Sequence, residues 1–242
     1  MQEIQQKNWF QNLVHDDPFL LLFISLILFF LGAPLIRLFE DGQHTLLSDS
    51  IAAALYMLIM LTAIFTVSKT RRSRLVGIAF AIPVALLSAG RIAMESLAAE
   101  FVFQVLAIVY LGYAIVLIMK YIFDRQAVNA NKIFAALCVY LLISLLWALL
   151  YSMIELILPT SFIHVSANSE NIVNMNVGRS DTAIALYYSL VTMTTLGYGD
   201  IIPANEVARM FASMQAVIGQ LYIAVLIARL VGLHAAQNTS SS

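Results

Sequence analysis

Charge is what this sequence lacks most. Of its 242 residues only 11% are charged, against about 25% in an ordinary soluble domain, while 61% are apolar and the mean hydropathy is +0.88. Such a chain cannot keep its apolar surface out of water by folding alone, which excludes most readings as a soluble enzyme and points to a membrane protein. With a net charge of −1 and no long basic run, it offers no footprint for nucleic acid. A single cysteine, Cys138, excludes an intrachain disulfide and a two-cysteine metal or redox pair. The four histidines, His15, His44, His164 and His234, all fall outside the long apolar runs, which excludes an intramembrane haem site built on them. No His-Glu-x-x-His run or intramembrane carboxylate pair supports a protease, no internal repeat is visible, and no cofactor is expected.

What is present is a succession of long uncharged runs. Those at 19–36, 50–68, 101–119, 133–154 and 210–228 each reach the roughly 18 residues needed to cross a bilayer. A weaker run, 75–90, contains Pro83, tolerable as a kink, and meets Arg91; it counts as the third of six spans. The first run is too long, and its Asp16 and Asp17 flank too acidic, for a removable signal peptide.

A seventh uncharged run, 182–199, reads differently. Its second half, Thr194-Thr195-Leu196-Gly197-Tyr198-Gly199, is too rich in glycine and threonine to sustain a helix in lipid. Non-helical backbone at membrane depth must be buried in protein or line water. This segment is therefore expected to be re-entrant, a short helix at 181–193 capped by Asp181 and followed by an extended loop returning to the same side.

Charge placement agrees with that count. With six spans and both termini cytoplasmic, nine basic residues (Lys7, Lys69, Arg71, Arg72, Arg74, Lys120, Arg125, Lys132 and Arg229) lie inside and four outside. Including the acids, the inner segments carry +5 (9 − 4) and the outer ones −6 (4 − 10), which sum to the net −1. An acidic outer face raises local cation concentration at any opening there. The basic block 69–74 reads either as a topology anchor or as a site for a lipid headgroup or regulatory ligand.

The chemistry sits in residues 194–200, Thr-Thr-Leu-Gly-Tyr-Gly-Asp. Stripping water from a monovalent cation requires closely stacked rings of oxygen ligands. Backbone carbonyls supply them only if successive residues turn the same way, and Gly197 and Gly199 can take the positive φ angles this demands. Leu196 and Tyr198 are then expected to pack outward and hold the loop's diameter, while Thr195 adds a hydroxyl and Asp200 puts negative charge at the mouth.

This motif resembles the selectivity filter of potassium channels, and the resemblance extends over about 100 residues, from near Asn131 to His234. Leu150-Tyr151-Ser152-Met153-Ile154-Glu155 is similar to the outer-helix ending of bacterial members of the two-transmembrane pore family. Gly219 falls where that family carries an inner-helix hinge, and Tyr187-Tyr188 stand where many members have a bracing tryptophan pair. Leu196 replaces the commonest valine, and Val191 stands where some bacterial members place a buried glutamate. The resemblance implies K+ ligands at the carbonyls of Thr195, Leu196, Gly197 and Tyr198 with the Thr195 hydroxyl, in a homotetramer in a bacterial-type inner membrane.

Other readings stay paired. Glu155 is either a brace accepting backbone hydrogen bonds near the filter or a carboxylate reaching interfacial water; Arg91 either pairs with Glu95 at the interface or serves gating. Gly219, Ile223, Ile227 and Val231, spaced by four, mark either a gate-lining stripe or packing against the fifth span. Tyr110, Tyr113 and Met119 of the fourth span read as packing residues. The expectation is thus an all-α membrane protein of six spans plus a re-entrant pore helix. It comprises a cytoplasmic segment 1–17, a four-helix module 18–128 lacking voltage-sensor charges, a pore module 129–233 with filter 195–200 and inner helix 206–232, and a short tail 234–242. Too few residues follow the last span for a nucleotide- or calcium-binding gating domain, leaving lipid, tension, pH, a partner or a small ligand as control, or constitutive leak.

Overall fold

The computed structural model describes residues 18–37, 46–67, 75, 77–79, 82–84, 97–124, 129–164, 173–174 and 182–240. Six helices are described in full: α1 (Pro18–Arg37), α2 (Leu46–Val67), α3 (Leu97–Ile122), α4 (Ala130–Ile157), α5 (Thr182–Met193) and α6 (Glu206–Ser240). Three stretches, Leu97–Ile122, Ala130–Ile157 and Glu206–Arg229, are helices long and apolar enough to cross a membrane. Of the expected third span, residues 75, 77–79 and 82–84 are helical; Arg91, Glu95, Asp181 and the block 69–74 lie outside the described residues.

The helices start where their sequence supplies an oxygen for orphaned N–H groups. Asn129 caps α4 by accepting from Lys132 N at 3.0 Å, and Asn205 caps α6 by accepting from Ala208 N at 2.8 Å. The inner helix was expected to end at 232 and instead runs to Ser240. Its last residues are polar but contain no proline, so nothing stops the backbone ladder from propagating.

The main core lies among α1, α2, α3 and α4, where Leu22, Leu26, Ile59, Leu111, Ile118 and Leu142 are fully buried. Tyr110 donates to Met60 O at 2.7 Å, tying α3 to α2, in addition to the packing expected of it. Helix α4 is the hub, meeting α1, α3, α5 and α6.

One feature has no counterpart in the sequence reading. A small antiparallel sheet in the order β2-β1-β3 is built from Phe162–His164 (β1), Val173–Asn174 (β2) and Ile201–Pro203 (β3). The register pairs Phe162 with Pro203 and His164 with Ile201. Since β1 follows α4 and β3 precedes α6, their pairing brings the end of α4 and the start of α6 side by side.

Candidate functional site

The loop 194–200 takes its shape from the C-terminal turn of α5. Thr194 N donates to Leu190 O at 2.9 Å and Thr195 N to Thr192 O at 3.1 Å; Leu196 N and Gly197 N then converge on Val191 O at 3.0 and 3.4 Å. Two consecutive amides aimed at one acceptor require a backbone whose handedness alternates. The φ angles supply it: +57° at Thr195, +58° at Gly197 and +78° at Gly199, with no positive value at Leu196 or Tyr198. In a planar trans peptide the C=O lies opposite the N–H, so the carbonyls of Thr195 and Leu196 point away from α5. The glycines adopt the angles foreseen for them. Thr195 was not foreseen, and a left-handed threonine costs about 1–3 kcal/mol unless its surroundings impose it. Its hydroxyl donates to Thr194 O at 2.6 Å, leaving the Oγ1 lone pairs available to a cation.

The end of α5 adds electrostatics to this arrangement. A helix C-terminus carries a partial negative charge, and here it abuts the first residues of the loop, where a cation is favoured and an anion is not.

Helices α4, α5 and α6 and strand β1 together form an aromatic wall. The rings of Tyr151 (α4), Phe162 (β1) and Tyr188 (α5) meet pairwise edge-on at 5.0–5.2 Å, and Trp147 bridges Tyr151 to Phe211 of α6. Adjacent Tyr187 points the other way, its hydroxyl donating to Asp200 Oδ2 at 2.7 Å. The tyrosine pair thus divides its work, one ring in the wall and one on the loop's last residue. Glu155 is buried and receives three backbone amides: Thr160 N on Oε1 at 2.7 Å, and Ser161 N and Phe162 N on Oε2 at 2.8 and 3.2 Å. It therefore fixes the turn that launches β1, the strand paired with the post-loop β3.

Leu196 and Tyr198 are 55% and 67% exposed in the single chain. Gly219 is buried, whereas Ile223, Ile227 and Val231, spaced from it by fours, are exposed in the single chain. A helix turns about 100° per residue, so each step of four drifts by about 40° and the stripe winds off the packed face. A Cβ on Gly219 would stand 2.6 Å from Met193 O, which makes this glycine a site of close helix approach.

Sequence reasoning missed a buried polar group joining α4, α5 and α6. Gln215 Nε2 donates to Ser189 O at 3.0 Å and to Ser189 Oγ at 2.7 Å, Tyr151 Oη donates to Gln215 Oε1, and Ser189 Oγ donates to Ser144 O at 2.6 Å. The available signal was an amide and two serines inside otherwise apolar runs, where polar groups must find partners.

Residues 132–234, from the first turn of α4 through most of α6, match the protein family described as "Ion channel". That match points to ion transport rather than enzymatic chemistry for this part of the chain. Over shorter stretches the chain is similar to two potassium-channel proteins by name. The two pore potassium channel a of Oryza sativa subsp. japonica is 38% identical over 45 residues, 19% of this chain and 13% of that protein. A protein of Rhodopseudomonas palustris, named as a candidate potassium channel, is 42% identical over 41 residues, 17% of this chain and 10% of that protein. The aligned stretches thus span only a small part of either relative. No solved structure matches.

Proposed function

We propose that this chain is the subunit of a potassium-selective channel that conducts K+ passively through a homotetrameric pore. The observation that carries the reading is the convergence of Leu196 N and Gly197 N on Val191 O, which turns the Thr195 and Leu196 carbonyls away from α5. The alternation continues to Gly199, so the carbonyls of Gly197 and Tyr198 extend the same row. With the Thr195 hydroxyl, these oxygens replace the ion's hydration shell.

One chain supplies one row, and a ring needs four around an axis. The exposed Leu196 and Tyr198, and the exposed apolar residues of α6 (Met210, Met214, Val217, Leu221), are surfaces that such a ring would cover. The match to an ion-channel family and the names of the two relatives support the same reading.

In this reading the chain crosses a bacterial-type inner membrane six times with both termini cytoplasmic, and α5 with its loop is re-entrant from the outer, acidic side. It needs no cofactor beyond the permeant ion. Its partners are K+, the lipid bilayer, three further copies of itself, and a gating lipid or ligand acting on the first four helices.

The test is K+ efflux from liposomes containing only the purified chain. Efflux that discriminates K+ from Na+ is expected. Absence of flux would make the chain a membrane sensor or assembly subunit, and equal K+ and Na+ flux a weakly selective cation channel; either result overturns the proposal.

A further inference from the structure

Gln215 belongs to α6 but gives both amide hydrogens to α5 and takes a hydroxyl from α4 on its carbonyl oxygen. It is fully buried, as are Ser144 and Ser189, and Tyr151 is nearly so. The direction of each bond follows from the inventory of protons. Ser189 has one hydroxyl hydrogen and gives it to Ser144 O; it therefore accepts from Gln215 Nε2 and, at 3.1 Å, from Ser144 Oγ. Both amide hydrogens of Gln215 go to Ser189 and its oxygen receives Tyr151. A reversed amide would set Oε1 against the Ser189 carbonyl, so the network admits one orientation.

One turn further along, the same two helices touch again. Gly219 stands four residues from Gln215, Met193 four from Ser189, and Gly219 meets the Met193 carbonyl so closely that no side chain fits. These two contacts bracket Leu190, Val191 and Thr192, whose carbonyls receive Thr194 N, Leu196 N, Gly197 N and Thr195 N. The last turn of α5 is thus held by α6 on one side and holds the loop backbone on the other.

We propose that Gln215 is a positioning residue for the filter. Its amide fixes the last turn of α5 against α6 and α4, so that the place of the Thr195 and Leu196 carbonyls depends on a side chain of the inner helix that touches no ion. This rests on the reading of 195–199 as a potassium filter, and the experiment separates the two.

The full-length chain is reconstituted in liposomes as wild type, Gln215→Leu, Tyr151→Phe and the double variant. Two quantities are read: the K+ to Na+ permeability ratio from reversal potentials, and amide hydrogen exchange of residues 186–197. Exchange in that segment is expected to rise about tenfold in Gln215→Leu, the effect of leaving buried donors and acceptors unpaired, and less in Tyr151→Phe. The permeability ratio should fall in the same order, and the double variant should resemble Gln215→Leu because both changes cut one link. A merely structural residue would lower yield and melting temperature while leaving the ion preference of assembled channels and the local exchange pattern unchanged, and that result overturns the proposal. Should Gln215→Leu fail to assemble, Tyr151→Phe, which removes one hydroxyl, decides alone. Should the wild type pass no K+, the functional reading fails, while the exchange measurement still says whether Gln215 orders the loop.

Discussion

The hydroxyl of Tyr187 donates to Oδ2 of Asp200 over 2.7 Å, and Oδ1 of the same carboxylate accepts from Ile201 N at 3.1 Å. Asp200 therefore joins α5 to the first residue of β3 at the point where the loop 194–200 ends. Tyr187→Phe keeps the ring and deletes the donor, so the carboxylate is left held from one side. Currents through the variant should decay faster under sustained recording than those of the wild type, with a smaller effect at raised K+, where bound ions themselves brace the loop. Identical decay in the two proteins would show that the bond plays no part in keeping the mouth open.

Gly197 sits at φ +58° with no atom within 4 Å of where a Cβ would stand. Space is therefore not what requires glycine in the single chain; the backbone angle is. Gly197→Ala should cost about 1–2 kcal/mol locally from the left-handed conformation alone. The expected outcome is tetramers that still assemble by size-exclusion chromatography but show reduced conduction or a reduced preference for K+ over Na+. Conduction with unchanged ion preference would remove these residues from the filter.

Gly219 behaves oppositely, because there the obstacle is an atom and not an angle. Met193 O, at 2.6 Å from the built Cβ, is backbone and cannot swing aside, so Gly219→Ala must push α6 away from α5. Overpacking of this kind costs about 1–3 kcal/mol, and the variant should melt at lower temperature as well as conduct less. A hinge glycine predicts something else, altered opening with unchanged melting temperature, and that pattern would return Gly219 to the hinge role.

These particulars show what can be read from sequence and what cannot. The positive φ angles of Gly197 and Gly199 were legible because left-handed backbone favours glycine, and the three long apolar helices because a bilayer requires long apolar runs. Spacing, however, gives the relative angles of residues on a helix and not what each one meets, so it did not reveal that Gly219 abuts the Met193 carbonyl while Ile223, Ile227 and Val231 are exposed. The partners of Gln215 lie 26 and 64 residues away on other helices, and local pattern carries no information about them. Strands of two or three residues, such as β1 to β3, are too short to show alternation. Thr195 has a side chain that gives no hint of left-handed backbone; the surrounding hydrogen bonds impose it.

Ile227 is 55% exposed on α6 and makes none of the intrachain core, which leaves its face available to neighbours around an axis or to the conduction path. Where a ring of apolar side chains narrows a pore, water leaves and ions stop. Ile227→Ser should therefore raise resting conductance, measured as K+ leak at zero applied voltage. An unchanged leak together with a weaker tetramer would place Ile227 in the contact between subunits.

If the proposed function holds, conduction should respond only weakly to voltage. Steep voltage dependence needs about 3–4 gating charges per subunit, each worth about 2.3 kcal/mol per 100 mV as it crosses the field. Helix α3 offers none between Phe101 and Met119. Two cations are held at its end: Lys132 Nζ donates to Asp124 O at 2.9 Å, and Arg229 Nη2 donates to Phe123 O at 2.8 Å with its guanidinium 5.6 Å from the Phe123 ring centroid. Both sit on carbonyls just past the end of α3, where a helix C-terminus favours positive charge, and Lys132 is carried by α4 and Arg229 by α6. Cations so placed lock α3 to α4 and α6 instead of moving along the field. Bilayer recordings stepped between about −100 and +100 mV should accordingly show an open probability that drifts by much less than the several-charge steepness of a voltage sensor. A sigmoidal activation curve several charges steep would mean that residues outside α3 carry the sensor.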